Sequence, residues 1–392
     1  MHLRRWLPLV CTAAVSVALV ALAFGAAAAA PASASPRQAA PAPAAQDAQK
    51  PPAAPAEKTA AEAFKNIQVL KDIPASQFIP NMFFITASLG VGCDHCHVTA
   101  EHGPWPFDKD DKKEKKTARE MMKMMMAINQ QNFDARQEVT CATCHNGHAD
   151  PSNTSPIRPL GEKRAEPDET AANAFPPADQ ILDHYVEAIG GAAALDKFNT
   201  RVIRGSLTTE SGHTYTLEIQ EKAPNLGIFS ATSSEGHASR DGFDGETAWN
   251  SAGPRAFVSH GLEGARIARD LEFFVDTDAK KHYSRRFVTG KETVGGEDAW
   301  RVRLVGRGDV SEILDFSAAS GLLLRRTVLT KTTLGRFAEQ TDYSDYRVVD
   351  GVKLPFTVVR LEVNTRYTEK YSEIKQNVPV DEAAFHMPAA PK

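Results

Sequence analysis

The chain has 392 residues, with 45 lysines and arginines against 49 aspartates and glutamates and a formal charge of −4 at pH 7. Its pI is about 6.3. That balance lacks the basic footprint of a nucleic-acid-binding protein, and the length accommodates two domains of ordinary size.

Residues 1–34 read as an export signal. Arg4 and Arg5 precede an apolar run from Leu7 to Ala30, and Ala32, Ser33 and Ala34 form a small-residue cleavage site. The run is also long enough to stay as an uncleaved membrane anchor. Cys11 lies inside it, too near the start for a lipobox. Residues 35–60 are almost wholly Ala and Pro and predict a tether, extended where the prolines cluster. The expected location is the periplasm or another extracytoplasmic space.

Between Gln77 and Leu89, the residues Phe78, Met82, Ile85 and Leu89 recur at helical spacing, and Gly90 supplies a stop. Eleven residues after Met82 comes Cys93-Asp94-His95-Cys96-His97. Residues 108–116 form a mixed charge run, a candidate docking rim for a charged partner or simply a solvated helix start. The helix expected over Thr117 to Asn129 gathers Met121, Met124, Met125 and Ile128 on one face, with Met122 and Met126 elsewhere. A second pentapeptide follows: Cys141-Ala142-Thr143-Cys144-His145.

Two copies of Cys-x-x-Cys-His point to covalent c-type haem. Each cysteine pair can form thioethers to the porphyrin vinyl groups, and the adjacent histidine offers a neutral imidazole nitrogen to the iron. A zinc ribbon, a redox dithiol or a disulfide pair would use the same Cys-x-x-Cys half. None of these needs a histidine after both pairs, and a ribbon would bring its pairs within roughly 15 to 20 residues. Two haem c groups are therefore expected, on Cys93 and Cys96 with His97, and on Cys141 and Cys144 with His145. The remaining iron position separates electron carriers from haem catalysts. Six of the eight methionines lie in the two helices, more than plastic core packing explains. Met82 and one of Met121, Met124 or Met125 are the candidate sixth ligands; His95, His102 and His148 are read as surface or supporting residues.

This region resembles the cytochrome c subunit of photosynthetic reaction centres. The matching stretches are Asn66 to Leu70, Met82 with Leu89 to Cys93, Ala118 to Met121 with Ala127 to Asn129, and Val139 to His145. In that family a helix methionine preceding its haem motif ligates the iron from the far side, which implies Met82 and, from the Ala-Arg-x-Met register, Met121 as the metal ligands. The family's photosynthetic members carry four haems, whereas this chain has cysteines for two. Pro80 is a second departure, comfortable only near the start of the ligand helix.

Prolines crowd residues 149–177, which predict a linker and a domain boundary. Beyond it, Ile181, Leu182, Tyr185, Val186 and Ile189 predict one amphipathic helix, and Leu262 to Phe274 a second. The rest alternates with period two, as in Tyr215, Leu217 and Ile219 or Trp300, Val302 and Leu304, and predicts an antiparallel sheet wrapped round a helix. This half resembles the periplasmic lipoprotein-carrier (LolA-like) family, through the helix ending Ala188 to Gly191, Gly242 to Trp249, Ser320 to Arg325 and Tyr346 to Pro355. The likeness implies a β half-barrel over an apolar cavity and a possible apolar ligand. No Gly-x-Ser-x-Gly, metal cluster or phosphate loop is found there.

The expected architecture is multidomain α+β: a dihaem cytochrome domain over residues 61–150, a linker over 151–174, and an antiparallel half-barrel with helices over 175–392. The expected function is one-electron transfer between a donor and an acceptor protein, with a membrane electron-transfer complex as a possible partner and no catalytic residues. A haem peroxidase or gas sensor with one open iron, or a lipid carrier, are the alternatives.

Overall fold

The computed structural model describes residues 57–100, 105–151, 175–253, 255–273, 277, 279–306, 310–363 and 365–389. The export signal, most of the tether, the linker past Pro151 and His102 lie outside these residues. The last residues assigned to the tether already belong to the fold. The Lys58 carbonyl accepts from the Ala75 amide at 2.9 Å, and Ala60 is buried.

The N-terminal part is helical: α1 (Ala60–Ala63), α2 (Ala75–Leu89), α3 (Lys113–Asn132) and the one-turn α4 (Cys141–His145). Pro80 lies inside α2, five residues after its start, where it withholds the N–H that the Ser76 carbonyl would otherwise accept. Gly90 ends α2 in a left-handed conformation, φ 66°. A Cβ there would overlap the Gly147 carbonyl oxygen, so this stop also permits the close approach of the second haem motif. The Gly147 N–H donates to the Ser88 carbonyl at 2.8 Å.

The C-terminal part opens with α5 (Ala178–Ala188) and α6 (Ala192–Leu195) and then forms strands β1 (Thr200–Thr209), β2 (Thr214–Lys222), β3 (Leu226–Thr232), β4 (Ala238–Asp244), β5 (Ala248–Ala252) and β6 (Arg255–Val258). Helices α7 (Gly261–Asp270) and α8 (Ala279–His282) follow. The chain continues through β7 (Arg285–Val294), β8 (Glu297–Val305), β9 (Val310–Ser317), β10 (Leu323–Lys331), β11 (Arg336–Val349), β12 (Val352–Glu362) and β13 (Thr365–Gln376). All pair antiparallel in one sheet ordered β6-β5-β4-β3-β2-β1-β13-β12-β11-β10-β9-β8-β7. Two meanders thus meet where β1 pairs with β13, and β6 and β7 remain as edges. The fold is the expected α+β architecture.

The amphipathic face of α5, Ile181, Leu182 and Tyr185, packs on Val302, Leu304, Leu314, Phe316 and Leu323. Side chains that recur every three or four residues on the helix thereby meet residues that alternate on the strands. A cavity of about 1010 Å³ opens beside β1 to β4, β12, β13 and α7. One wall is apolar, with Ile203, Leu207, Ile219 and Val358. The other is charged, which the implied apolar cavity did not anticipate. Arg360 donates to Glu369 at 2.8 Å, Arg326 forms a two-pronged pair with Glu312 at 2.8 and 2.9 Å, and Arg266 reaches Glu263 and Asp241. Charges this buried are tolerated because each faces a partner on a neighbouring strand or helix.

The two parts share a core. Phe84 and Ile85 of α2 and Met122 and Met125 of α3 cluster with Leu334 and Phe337, which belong to the β10–β11 hairpin. The sequence reading placed few contacts across the proline-rich boundary; the hairpin supplies them from residues far along the chain.

Candidate haem-binding site

Each motif is held by its own scaffold. At the first, Cys93–His95 forms a short 3-10 turn, and the His97 N–H donates to the Cys93 carbonyl at 3.0 Å. The imidazole Nδ1 of His97 lies 3.1 Å from the Phe107 carbonyl oxygen, and the two rings meet edge to face with centroids 5.1 Å apart. A carbonyl can only accept, so Nδ1 carries the proton and Nε2 keeps its lone pair. Burial, then the Lys115 ammonium, pushes the His97 pKa down and keeps the ring neutral.

The same carbonyl of Phe107 accepts from Lys115 Nζ at 2.8 Å. Lys115 and Arg119 share one carboxylate, Asp110, at 3.1 and 2.9 Å, and their side chains are only 12% and 11% exposed. The Arg119 hydrogen bond, with one from Asn66, holds the Asp110 carboxyl well below the usual range. Lys115 and Arg119 outnumber the carboxylate they share and, with Lys112, place positive charge beside His97, whereas Glu114 acts in the opposite sense on Cys96. Lys112 adds a hydrogen bond to the Asp94 carbonyl.

At the second motif α4 is a single turn, begun by the Thr140 N–H donating to Thr143 Oγ1 at 3.0 Å. His145 Nδ1 lies 3.0 Å from the His148 carbonyl oxygen, the same arrangement as at His97. His148 therefore orients the His145 ring through its backbone, and His148 itself is exposed. Among the described residues, no lysine hydrogen-bonds to this motif or to the His148 carbonyl. The approach to the motif is clipped to α3 by Asn129, whose Nδ2 donates to the Val139 carbonyl at 2.7 Å and whose Oδ1 accepts from the Val139 N–H at 2.9 Å.

No disulfide joins the four motif cysteines. Burial raises the Cys96 pKa and pushes that of Cys141 up to about 11. Among the described residues, no three His, Cys, Asp or Glu side chains gather as a metal ion would need. The two pairs therefore do not form a zinc ribbon's four-thiolate site. The donor set that is present, a thiol pair three residues apart beside an imidazole with a bare Nε2, fits haem c at both motifs.

The methionines divide differently from the sequence reading. The buried face of α3 is Arg119, Met122, Met125 and Asn129, so Met122 is in the core and not pointing elsewhere. The Met125 sulfur accepts a hydrogen bond from Asn129 Nδ2 at 3.3 Å. Met121 and Met124 stand outward, 43% and 50% exposed. Met82 is half-buried against the cluster that contains Phe84, Met122 and Met125 and that also touches Cys141. Arg119 and Asn129 escaped the apolar-periodicity reading because both are polar, yet each is buried with its hydrogen bonds made: Arg119 to Asp110 and to the Asn66 carbonyl, Asn129 to Val139.

The site lies within the stretch that comparison with known proteins matches. Residues 25–178 match the sequence model of the family described as photosynthetic reaction centre cytochrome C subunit. The photosynthetic reaction center cytochrome c subunit of Thermochromatium tepidum is 33% identical over 171 residues, covering 39% of this chain and 41% of that protein. The chain thus spans about two fifths of the length of this curated relative. Over the sheet, solved structures align with low scores: a DUF1329 family protein from Desulfovibrio piger at 11% identity and TM-score 0.40, and a LolA superfamily protein from Nitrosomonas europaea at 14% and 0.38. Each covers 54% of this chain and 98% of its own. The matched range contains both motifs and the residues that brace them, Asn66 and Arg119 at the first and Asn129 and Val139 at the second. The N-terminal part of this chain, residues 25–178, resembles the photosynthetic reaction centre cytochrome c subunit family.

Proposed function

We propose that the protein is an exported dihaem c-type cytochrome that passes single electrons between redox proteins, and that it is not an enzyme. The observation that carries this reading is the repeated histidine geometry: both motif imidazoles give Nδ1–H to a backbone carbonyl and keep Nε2 free. A ligand histidine is ordinarily oriented in this way. Haem c, when bound, supplies reversible Fe(III)/Fe(II) chemistry. Cys93 and Cys96, and Cys141 and Cys144, would hold the two groups covalently; His97 and His145 would be the proximal ligands.

Met82 and Met121 are assigned as the sixth ligands. Met125 has its sulfur engaged by Asn129 and Met122 is in the core, whereas the outward thioether of Met121 is unencumbered and matches the family register. Two filled iron positions favour electron transfer over peroxide or gas chemistry. Partners are a donor and an acceptor protein, with a membrane electron-transfer complex as the setting suggested by the relative's name. An extracytoplasmic location follows from the expected export signal, and no nucleic acid is involved. The apolar wall of the cavity favours a second role for the sheet, holding an apolar or amphiphilic ligand, which a fluorescent fatty-acid probe would report.

The ferric protein should show the weak near-infrared sulfur-to-iron band of Met/His ligation. Met82→Ala and Met121→Ala should each open one haem to carbon monoxide. A wild-type protein that binds carbon monoxide at either haem would overturn the electron-carrier assignment in favour of a catalyst or sensor.

A further inference from the structure

The four-residue turn between β10 and β11, Thr332 to Gly335, reaches out of the sheet into the haem-bearing helices. It is a tight turn, with the Thr332 N–H and Oγ1 both donating to the Gly335 carbonyl, at 2.7 and 2.9 Å. Leu334 at its tip is 1% exposed, enclosed by the apolar faces of α2 and α3. Gly335 lies so close to Phe84 that a Cβ would overlap the ring. Phe337 meets Phe83 edge to face, with centroids 6.5 Å apart.

The polar contacts of this turn fall on residues beside the haem ligands. The Leu334 N–H donates to Asn81 Oδ1 at 2.9 Å, and Asn81 Nδ2 donates to the Gln77 carbonyl in its own helix at 2.8 Å. Asn81 is 0% exposed and immediately precedes Met82. Gln77, one turn earlier, accepts from Thr333 Oγ1 at 3.3 Å. On the other side of the turn, Gln137 Nε2 donates to the Thr332 carbonyl at 3.0 Å and to that of Thr333. Gln137 stands two residues before Val139 and four before Cys141. One turn of the sheet therefore grips the Met82 helix and the approach to the second motif together.

A helix packed only by apolar contacts can rotate slightly about its axis at little cost, because such contacts are not directional. A buried amide with donor and acceptor both used permits one orientation, since any other leaves polar atoms unsatisfied. Asn81, pinned through Leu334, thus fixes the rotation of α2 at the residue next to Met82. Supporting contacts of this kind decide how well a ligand meets its metal.

We propose that the Thr332 to Gly335 turn is a positioning element that holds α2 in the rotation presenting the Met82 thioether to iron, so that the sheet sets the ligand strength and reduction potential of that haem. This rests on the assignment of Met82 as a sixth ligand. It gives the sheet a part in electron transfer that requires no residue of the sheet to be an iron ligand.

The test uses full-length holoprotein carrying Leu334→Ala, which removes the tip side chain, or Asn81→Leu, which keeps the branched shape and deletes the hydrogen bond. Val348→Ala, at an exposed position on β11, the strand that leaves the turn, is the control. Redox titration, the near-infrared band and carbon monoxide binding are read on each, with haem content checked first. Leu334→Ala and Asn81→Leu should lower the midpoint of one haem, because a weakened thioether stabilises the ferrous state less. They should also raise the carbon monoxide binding rate at that haem at least ~10-fold while two haems remain bound. Val348→Ala should change neither. Met82→Ala is run beside them. If it leaves both haems closed to carbon monoxide, the ligand assignment falls and the proposal with it. If it opens one haem while Leu334→Ala and Asn81→Leu leave both midpoints and both rates as in wild type, the turn is a stability contact and the proposal alone is overturned.

Discussion

The two Cys-x-x-Cys-His motifs share three of their five residues and sit in unlike environments. Both point a histidine Nδ1 at a backbone carbonyl. At the first, that carbonyl also accepts from Lys115, and Lys115 and Arg119 surround a single carboxylate. At the second, the acceptor is the His148 carbonyl, and the motif is clipped to α3 through Asn129 and to α2 through Gly147 and Ser88. In the proposed dihaem reading the shared motif would fix the chemistry of attachment, and its surroundings would decide how each iron behaves. Cations beside an iron disfavour its oxidised, more positive state. The first haem is therefore expected to have the higher potential, with electrons settling on it from the second.

The largest effects should come from attachment. Cys93→Ser with Cys96→Ser, or Cys141→Ser with Cys144→Ser, should each remove one haem and leave the other, read as half the haem absorbance per chain. Loss of both haems in either double variant would mean the motifs are not separate sites. Next in size is the contrast among methionines. Met121→Ala should expose one haem to carbon monoxide with little change in stability. Met125→Ala should keep both haems closed yet cost about 2–5 kcal/mol, because it empties a buried position. The opposite pattern would move the ligand from Met121 to Met125.

Much of this was readable in advance, and the misses have physical causes. The pentapeptides, the helix stop at Gly90, the amphipathic helix α5 and the alternation of β8 follow local rules, because spacing along the chain becomes spacing in the element. The face of α3 did not follow. Counting apolar residues put Met121, Met124 and Met125 together, whereas the buried stripe runs through Arg119, Met122, Met125 and Asn129. Two of those four are polar and are buried because partners distant in sequence satisfy them: Asp110 and Asn66 for Arg119, Val139 for Asn129. Nothing in residues 332–335 marks them as more than a hairpin turn, since their partner helix lies some 250 positions earlier. The charged wall of the cavity was hidden for a similar reason. Arg326 and Glu312 alternate as ordinary strand residues would, and only pairing of β9 with β10 brings them together.

Smaller changes sharpen the contrast between the motifs. Asn129→Ala removes both hydrogen bonds to Val139 and should cost about 1–3 kcal/mol, because the Val139 groups lose their partner. It should shift the midpoint of the second haem more than that of the first, as read by redox titration with each haem deleted in turn. Lys115→Met should do the reverse, lowering the first midpoint and leaving the second in place. Because Lys115 is largely buried, raising salt should reproduce little of that shift. An equal fall in both midpoints would show that the cations at Asp110 act on the whole domain and not on one motif.

The central claim is that this chain binds two haems covalently, one at each motif. Mass spectrometry of the full-length protein, produced in a host with haem-maturation machinery, together with a pyridine haemochrome assay, tests it directly. The account predicts a mass increase of two haem groups, two haemochrome equivalents per chain, and loss of one equivalent when either cysteine pair is replaced. A colourless, zinc-loaded protein, or one with a single haem and one unmodified cysteine pair, would contradict it.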